Sequence, residues 1–297
     1  FVKGKILGVF DADAQVTPDL LRKVVPLFFR EEVGAVQVRK AIANAGLNFW
    51  TKGQSAEMVV DGFFQEQRIA IGGIGELRGN GQFVRMNALE ECGGWNEQTI
   101  TDDLDLTIRL HLNNWDIDFL AFPAVAEEGV TSPIALWHQR SRWAEGGYQR
   151  YLDYWRLILY NRMKFSKSWD LWQFLVTQYL LSVAAVPDFL MSIILRRLPI
   201  TSPLTVFTVM VSLLGMFIGL RRTRERQMSL VKEEKVMEFG SRKKYPLSLL
   251  QTLLESILGT FYMLHWFVVM GITIARMSVL PKRLKWVKTV HTGDGKS

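Results

Sequence analysis

Cysteine is all but missing from this chain. Cys92 alone among 297 residues excludes an intrachain disulfide framework and fits a reducing compartment. An initiator methionine and a secretory leader are missing too, and the chain opens almost directly on an apolar, strand-like run. We therefore expect a fragment whose N-terminal part lies upstream. A large excess of one charge is also lacking, since 36 lysines and arginines stand against 29 acids for a formal +7. The basic residues gather beside apolar blocks, so an anionic lipid surface, and no nucleic acid, is the expected partner.

What is there is segregated. Mean hydropathy is slightly positive, although 22% of residues are charged. The first half mixes polar and apolar residues, whereas the second holds long apolar blocks fenced by Lys and Arg. Alternating strand and helix signals over the first half predict an α/β sheet domain over residues 1–147. Aromatic and basic residues then interleave over 148–170, as suits a helix lying in a membrane interface, and membrane helices with a basic loop and tail follow over 171–297.

The run Ile6-Leu7-Gly8-Val9-Phe10 reads as a buried strand and ends in Asp11-Ala12-Asp13. Strand alternation would aim both acids the same way at the carboxyl end of the strand, where open α/β sheets bind ligands. A carboxylate pair there can hold a divalent cation, or simply cap the turn before Thr17-Pro18. Thr17 as N-cap and Pro18 at the first helical position predict a helix to about Phe29, followed by a strand from Gly34 to Val38. A long helix is expected over 48–71, broken by Gly72-Gly73-Ile74-Gly75.

Gly79-Asn80-Gly81 then precedes a short strand, and its glycines allow either close approach to a substrate or a tight turn. A short helix over 87–92 is stopped by Gly93-Gly94. Thr101-Asp102-Asp103 carries a helix N-terminal signal, so the run to Asn114 is expected to be helical despite its alternation. Asp116 to Phe122 reads as a strand, and Ser132-Pro133 opens a helix on which Gln139, Arg142 and Trp143 share one face.

Three later blocks, 171–195, 204–220 and 247–275, meet or approach the length that spans or dips into a bilayer. With Arg221, Arg222, Arg224 and Arg226 on the cytoplasmic side, three full spans would leave Lys282, Arg283, Lys285 and Lys288 outside. One block is therefore expected to be re-entrant or interfacial.

In this order and ahead of membrane helices, Asp11-Ala12-Asp13, Gly79-Asn80-Gly81, Thr101-Asp102-Asp103 and Gln139-Arg140-Ser141-Arg142-Trp143 resemble the family 2 glycosyltransferases. These are inverting enzymes with a GT-A nucleotide-sugar fold, and their membrane branch includes cellulose, chitin and hyaluronan synthases. The resemblance implies that Asp13, with Asp11 nearby, holds Mg²⁺ or Mn²⁺ against the donor diphosphate. It implies Asp103 as the general base, with Asp102 standing where Glu is usual. It also implies Gly79, Asn80, Gly81, Gln139 and Arg142 around the donor, and Trp143 as an aromatic wall at the acceptor entry.

The longer runs around Gly79, Trp95 and Trp137 are similar to the glycolipid-making members, which implies a UDP-glucose donor and a diacylglycerol acceptor. An integral membrane location, in cell or thylakoid membrane with the catalytic domain cytoplasmic, follows from the same resemblance. The family's first strands and nucleotide pocket would then lie upstream of Phe1. A processive polysaccharide synthase and a membrane scaffold with a dead transferase domain remain as alternatives.

Overall fold

The computed structural model describes residues 3–161, 163–232 and 248–281. The apolar opening run forms β1 (Ile6–Val9), and α1 (Leu20–Val24) tightens into a 3-10 turn at Val25–Phe29 around Pro26. This helix starts later than expected. The Thr17 hydroxyl is engaged with Asp19 Oδ1 at 2.6 Å, and Asp19 takes the N-cap position instead.

β2 (Val33–Ile42) is longer than its predicted core, and α2 (Phe49–Ala70) matches expectation. Its start is set by a capping box: Asn48 Oδ1 accepts from Thr51 N at 3.1 Å, and Thr51 Oγ1 accepts from Asn48 N at 3.1 Å. Then come β3 (Gln82–Arg85), α3 (Met86–Glu91), α4 (Asp102–Leu112), β4 (Asp116–Glu127) and α5 (Pro133–Leu159).

The sheet order is β1-β3-β2-β4, with β3 antiparallel to both β1 and β2, and β4 parallel to β2. Strand alternation splits the core onto two faces. Val36 and its cross-strand partner Phe83 join Leu20, Val24 and Phe28 under α1, while Ala35 and its partner Val84 join Leu89, Leu106 and Leu110 under α3 and α4. The parallel pair β2 and β4 thus ends at one edge of a sheet covered on both faces, the place where α/β sheets take ligands.

Past the sheet the chain is helical among the described residues: α6 (Phe165–Leu175), a π-helical turn (Val176–Leu180), α7 (Leu181–Ile194), α8 (Ser202–Lys232), α9 (Leu249–Met263) and α10 (His265–Val279). Two apolar stretches are long enough to cross a membrane, Ser202–Leu230 and Leu249–Val279, the second broken at Leu264 between α9 and α10. Of the three expected blocks, 171–195 is divided among α6, the π turn and α7, with Pro187 inside α7, and no piece of it has spanning length. The four arginines placed in a loop lie within α8, and Lys282, Arg283, Lys285 and Lys288 fall outside the described residues.

α8 and α9 pack on α2, while α10 packs on α5 and α7. The broken hairpin of α9 and α10 is therefore seated against the helices that flank the sheet. α5 itself runs through 147 and 148 without a break. Tyr148, Gln149, Arg150 and Tyr151, expected to begin an interfacial segment, are buried, because Arg150 reaches Asp105 (2.9 Å) and Tyr148 packs edge-on to Tyr179. The aromatic face exposed for an interface begins further on, with Leu152, Trp155, Tyr160, Phe165 and Trp169.

Candidate active site

β1 stops at Val9, so alternation does not set the two acids, and this corrects the strand-based expectation. A turn closed by Ala14 N donating to Asp11 O (3.0 Å) carries Asp11 and Asp13 instead. Asp13 Oδ2 accepts from Glu128 N at 3.0 Å, which ties the turn to the end of β4. Asn80 binds the same place: its Oδ1 accepts from Asp11 N (3.2 Å), and its Nδ2 donates to Glu127 Oε2 (3.1 Å).

The flanking glycines are needed there. Gly79 and Gly81 both hold positive φ, +79° and +73°, which side chains rarely tolerate. A Cβ on Gly81 would also press to 2.8 Å from Val125 Cγ2, and one on Gly79 would sit 3.6 Å from Asp103 Oδ2. The turn therefore lies directly against Asp103.

Asp102 and Asp103 open α4, where acids are favoured by the helix dipole. Thr101 is at the N-cap but makes no side-chain cap, contrary to its sequence signal. Its hydroxyl is buried without a partner, because Gly146 of α5 packs onto the threonine side chain. Asp102 is held by Trp95, whose Nε1 donates to Oδ2 at 2.7 Å. Burial, and then the neighbouring Asp102 charge, push the Asp103 carboxyl up to about 6, against Leu104 N–H, Arg78 and Lys40. A carboxylate poised there suits a general base near neutral pH.

The third motif arrives from α5. Arg142 is within electrostatic reach of Asp103, Asp11 and Asp102, which oppose the lowering of its pKa by burial. Trp143 is flanked by Arg140 at 4.0 Å and Lys40 at 5.3 Å from the ring centroid. Gln139 has a buried Oε1 without a hydrogen-bond partner, so it is the motif residue least tied to the others. Asp11, Asp13, Asn80, Asp102, Asp103, Arg142 and Trp143 thus lie near one another beside Lys40.

Lys40 and Glu127 were missed by motif reading. Lys40 Nζ donates to Glu127 Oε1 at 3.2 Å, joining the ends of β2 and β4, and Glu127 in turn holds Asn80. The rule that ligands lie at the carboxyl ends of parallel strands was a usable signal for both. Arg78, a third such residue, pairs with Asp61 (2.7 Å) and Glu76 (2.5 Å) behind Asp103.

The acids fit a hard cation. Partial burial, Glu127, Asp13 and Asp102 hold the Asp11 carboxyl above the usual range, with Lys40 opposing. No cluster of three His, Cys, Asp or Glu suited to a metal occurs among the described residues. The protein would thus contribute one or two carboxylates, as Mg²⁺-type sites do when phosphate oxygens and water complete the shell.

Residues 6–220 match the family model described as Glycosyl transferase family group 2. The chain is 62% identical over 293 residues to a beta-monoglucosyldiacylglycerol synthase of Trichormus variabilis, covering 99% of this chain and 59% of that protein. It is 57% identical over 290 residues to the Synechocystis sp. protein of the same name, covering 97% and 57%. The chain therefore spans less than two thirds of the length of these curated relatives. A Pyrobaculum calidifontis mannosyltransferase, solved with GDP-Man and Mn²⁺, is similar at TM-score 0.47 and 14% identity, over 93% of this chain and 62% of that one.

Proposed function

Since this chain belongs to glycosyl transferase family group 2, we propose that its full protein transfers glucose from UDP-glucose to the free hydroxyl of diacylglycerol, with inversion. The observation that carries this reading is the nearness of Asp11 and Asp103 to Arg142. The name of its relatives supports the glucolipid product.

In this mechanism the acceptor oxygen attacks the anomeric carbon while the bond from that carbon to the diphosphate oxygen breaks on the opposite face. Asp103 takes the hydroxyl proton, and UDP departs with the bonding electron pair. Arg142 offers paired N–H donors to the diphosphate. Asp11 and Asp13 would hold Mg²⁺ or Mn²⁺, which supplies positive charge to the leaving group when bound. Lys40 and Glu127 fix Asn80, and Asn80 holds the Asp11 backbone in place.

A lipid acceptor suits the surroundings of the cleft. Diacylglycerol keeps its chains in the bilayer and presents one hydroxyl at the surface, so the base must face that surface. The exposed Trp155, Tyr160, Phe165 and Trp169 on α5, the turn after it and α6 suit the docking of the catalytic domain there, with the cleft on the cytoplasmic side. Incubating the full-length protein in membranes with labelled UDP-glucose tests the reading. Label in solvent-extractable glycolipid is expected, whereas label in insoluble polymer would mean a processive polysaccharide synthase, and no transfer would leave a scaffold.

A further inference from the structure

Four helices meet at one carboxylate outside the reacting groups. Glu57 of α2 accepts through Oε2 from Arg140 of α5 and from the Tyr262 hydroxyl of α9 (3.2 Å), and through Oε1 from Trp266 Nε1 of α10 (2.9 Å). Arg140 is 1% exposed and Glu57 7%. Gly53, one turn before Glu57, leaves the notch that admits Tyr262, since a Cβ there would run into the ring. The Arg140 guanidinium lies over two indoles, 4.0 Å from the Trp143 centroid and 5.5 Å from that of Trp266.

This arrangement is poorly suited to stability alone. A buried ion pair often contributes no more than an apolar pair of similar volume. Arg140 moreover keeps Nε and Nη1 buried without hydrogen-bond partners. What a guanidinium offers that an apolar side chain does not is a rigid charged plane that stacks on aromatic faces. The plane here is pinned by Glu57 on one edge and lies against Trp143 on its face.

We propose that Glu57 and Arg140 are a positioning pair for Trp143, and that Tyr262 and Trp266 clamp the α9–α10 hairpin to the same carboxylate. The aromatic wall offered to the acceptor is thereby registered to the hairpin that breaks at Leu264, and not to the sheet alone. The inference rests on the proposed function only in taking Trp143 as the border of the acceptor site.

The test uses the full-length protein in membrane vesicles, with two readouts. Arg140→Lys keeps the charge but loses the plane, and is expected to raise the KM for diacylglycerol about tenfold, with the KM for UDP-glucose within about twofold of wild type. In the same variant, an indole-oxidising reagent read by mass spectrometry should modify Trp143 several-fold faster, while Trp95, held by Asp102, keeps its rate as the internal reference. Glu57→Gln should move both readouts the same way. The double variant should be no worse than the worse single one, because the pair acts as a unit.

Tyr262→Phe keeps the ring and removes only the donor to Glu57, and Trp266→Phe replaces the indole with a smaller ring that has no donor, so they carry the test if Arg140→Lys does not fold. Each is expected to raise the diacylglycerol KM about threefold, a fraction of what loss of one hydrogen bond to a charged group costs, because the donor acts on Trp143 only through Glu57 and Arg140. Unchanged Trp143 labelling in Arg140→Lys, or a parallel rise in both KM values, overturns the pair. A wild-type protein that makes no glycolipid overturns the proposed function instead, and the labelling readout still decides the pair.

Discussion

The two halves of this molecule are built inside out relative to one another. In the sheet half, Val33, Val36, Val38 and Val84 are fully buried, while Asp11 is exposed and Asp13, Asp102 and Asp103 are half-buried. In the helical half Phe207 is 64% exposed, as are comparable stretches of Met210, Ile193 and Phe261, while Ser256 is 0% exposed and Thr252 and Thr273 are buried. A chain folding in water alone would not place its large apolar groups outward and its hydroxyls inward. Small and hydroxylated residues at helix contacts, with apolar residues outside, are what helices in a bilayer require. Gly215 against Phe64, Gly259 against Met216 and Gly271 against Val186 make the same close contacts. One covalent chain thus presents two kinds of surface, polar over the sheet half and apolar over the helices.

The sharpest way to test the sheet side of that comparison is to remove its chemistry and leave its fold. Asp103→Asn should lower kcat by about 10³-fold, within the usual range for a general base, with UDP binding retained. An equal loss of nucleotide binding would place Asp103 in the donor pocket instead. On the proposed mechanism the carboxylate is the active form, so with Asp103 pushed up to about 6 the rate should climb as pH rises through that value. Asp102→Asn removes the charge that helps raise Asp103, while its amide oxygen still accepts from Trp95. The acidic limb of the pH–rate profile should then move to lower pH, and a limb that stays in place would assign it to another group.

These effects concern residues whose positions the sequence exposes unevenly. Asn48 and the glycine run after Ile71 mark both ends of α2 because capping chemistry is local, and α4 is recognisable from its leading acids. Three of the four ordered motifs sit at an element end, whereas Gln139 to Trp143 lie within α5. Lys40 and Glu127 stay hidden, since they meet only through the parallel pairing of β2 with β4 across 87 residues. Glu57 is hidden for the same reason: its helix periodicity reports a face, and what lies on that face, Arg140, Tyr262 and Trp266, comes from three other helices. The unbroken α5 escapes composition-based division because Arg150 and Tyr154 find Asp105, which no local pattern announces.

Apolar truncation gives the middle-sized contrast. Val36→Ala removes fully buried methyls between β3 and α1, and should cost about 2 kcal/mol of unfolding free energy. Phe207→Ala removes a larger side chain from an outward face and should leave the unfolding midpoint in membranes within about 0.5 kcal/mol of wild type, as surface changes do. If Phe207→Ala costs as much as Val36→Ala, the outward face is covered by protein and the two halves are not opposites.

The smallest expected effect separates the two kinds of buried hydroxyl. Thr107 Oγ1 accepts from Leu77 N (2.9 Å) and donates to Asp103 O (2.9 Å), so it bridges two segments of the sheet half. Thr107→Val leaves the Leu77 N–H buried and unpaired, for about 1–3 kcal/mol. Ser256 Oγ donates only to Thr252 O of its own helix (2.7 Å), a carbonyl already within the α9 backbone ladder. Ser256→Ala therefore leaves no buried donor unpaired and gains helix propensity, and should change stability by less than about 0.5 kcal/mol. Matching losses in the two variants, read by thermal unfolding in the same vesicles, would show that hydroxyls in α9 hold tertiary structure as Thr107 does, and the contrast between the halves would then lie in their apolar residues alone.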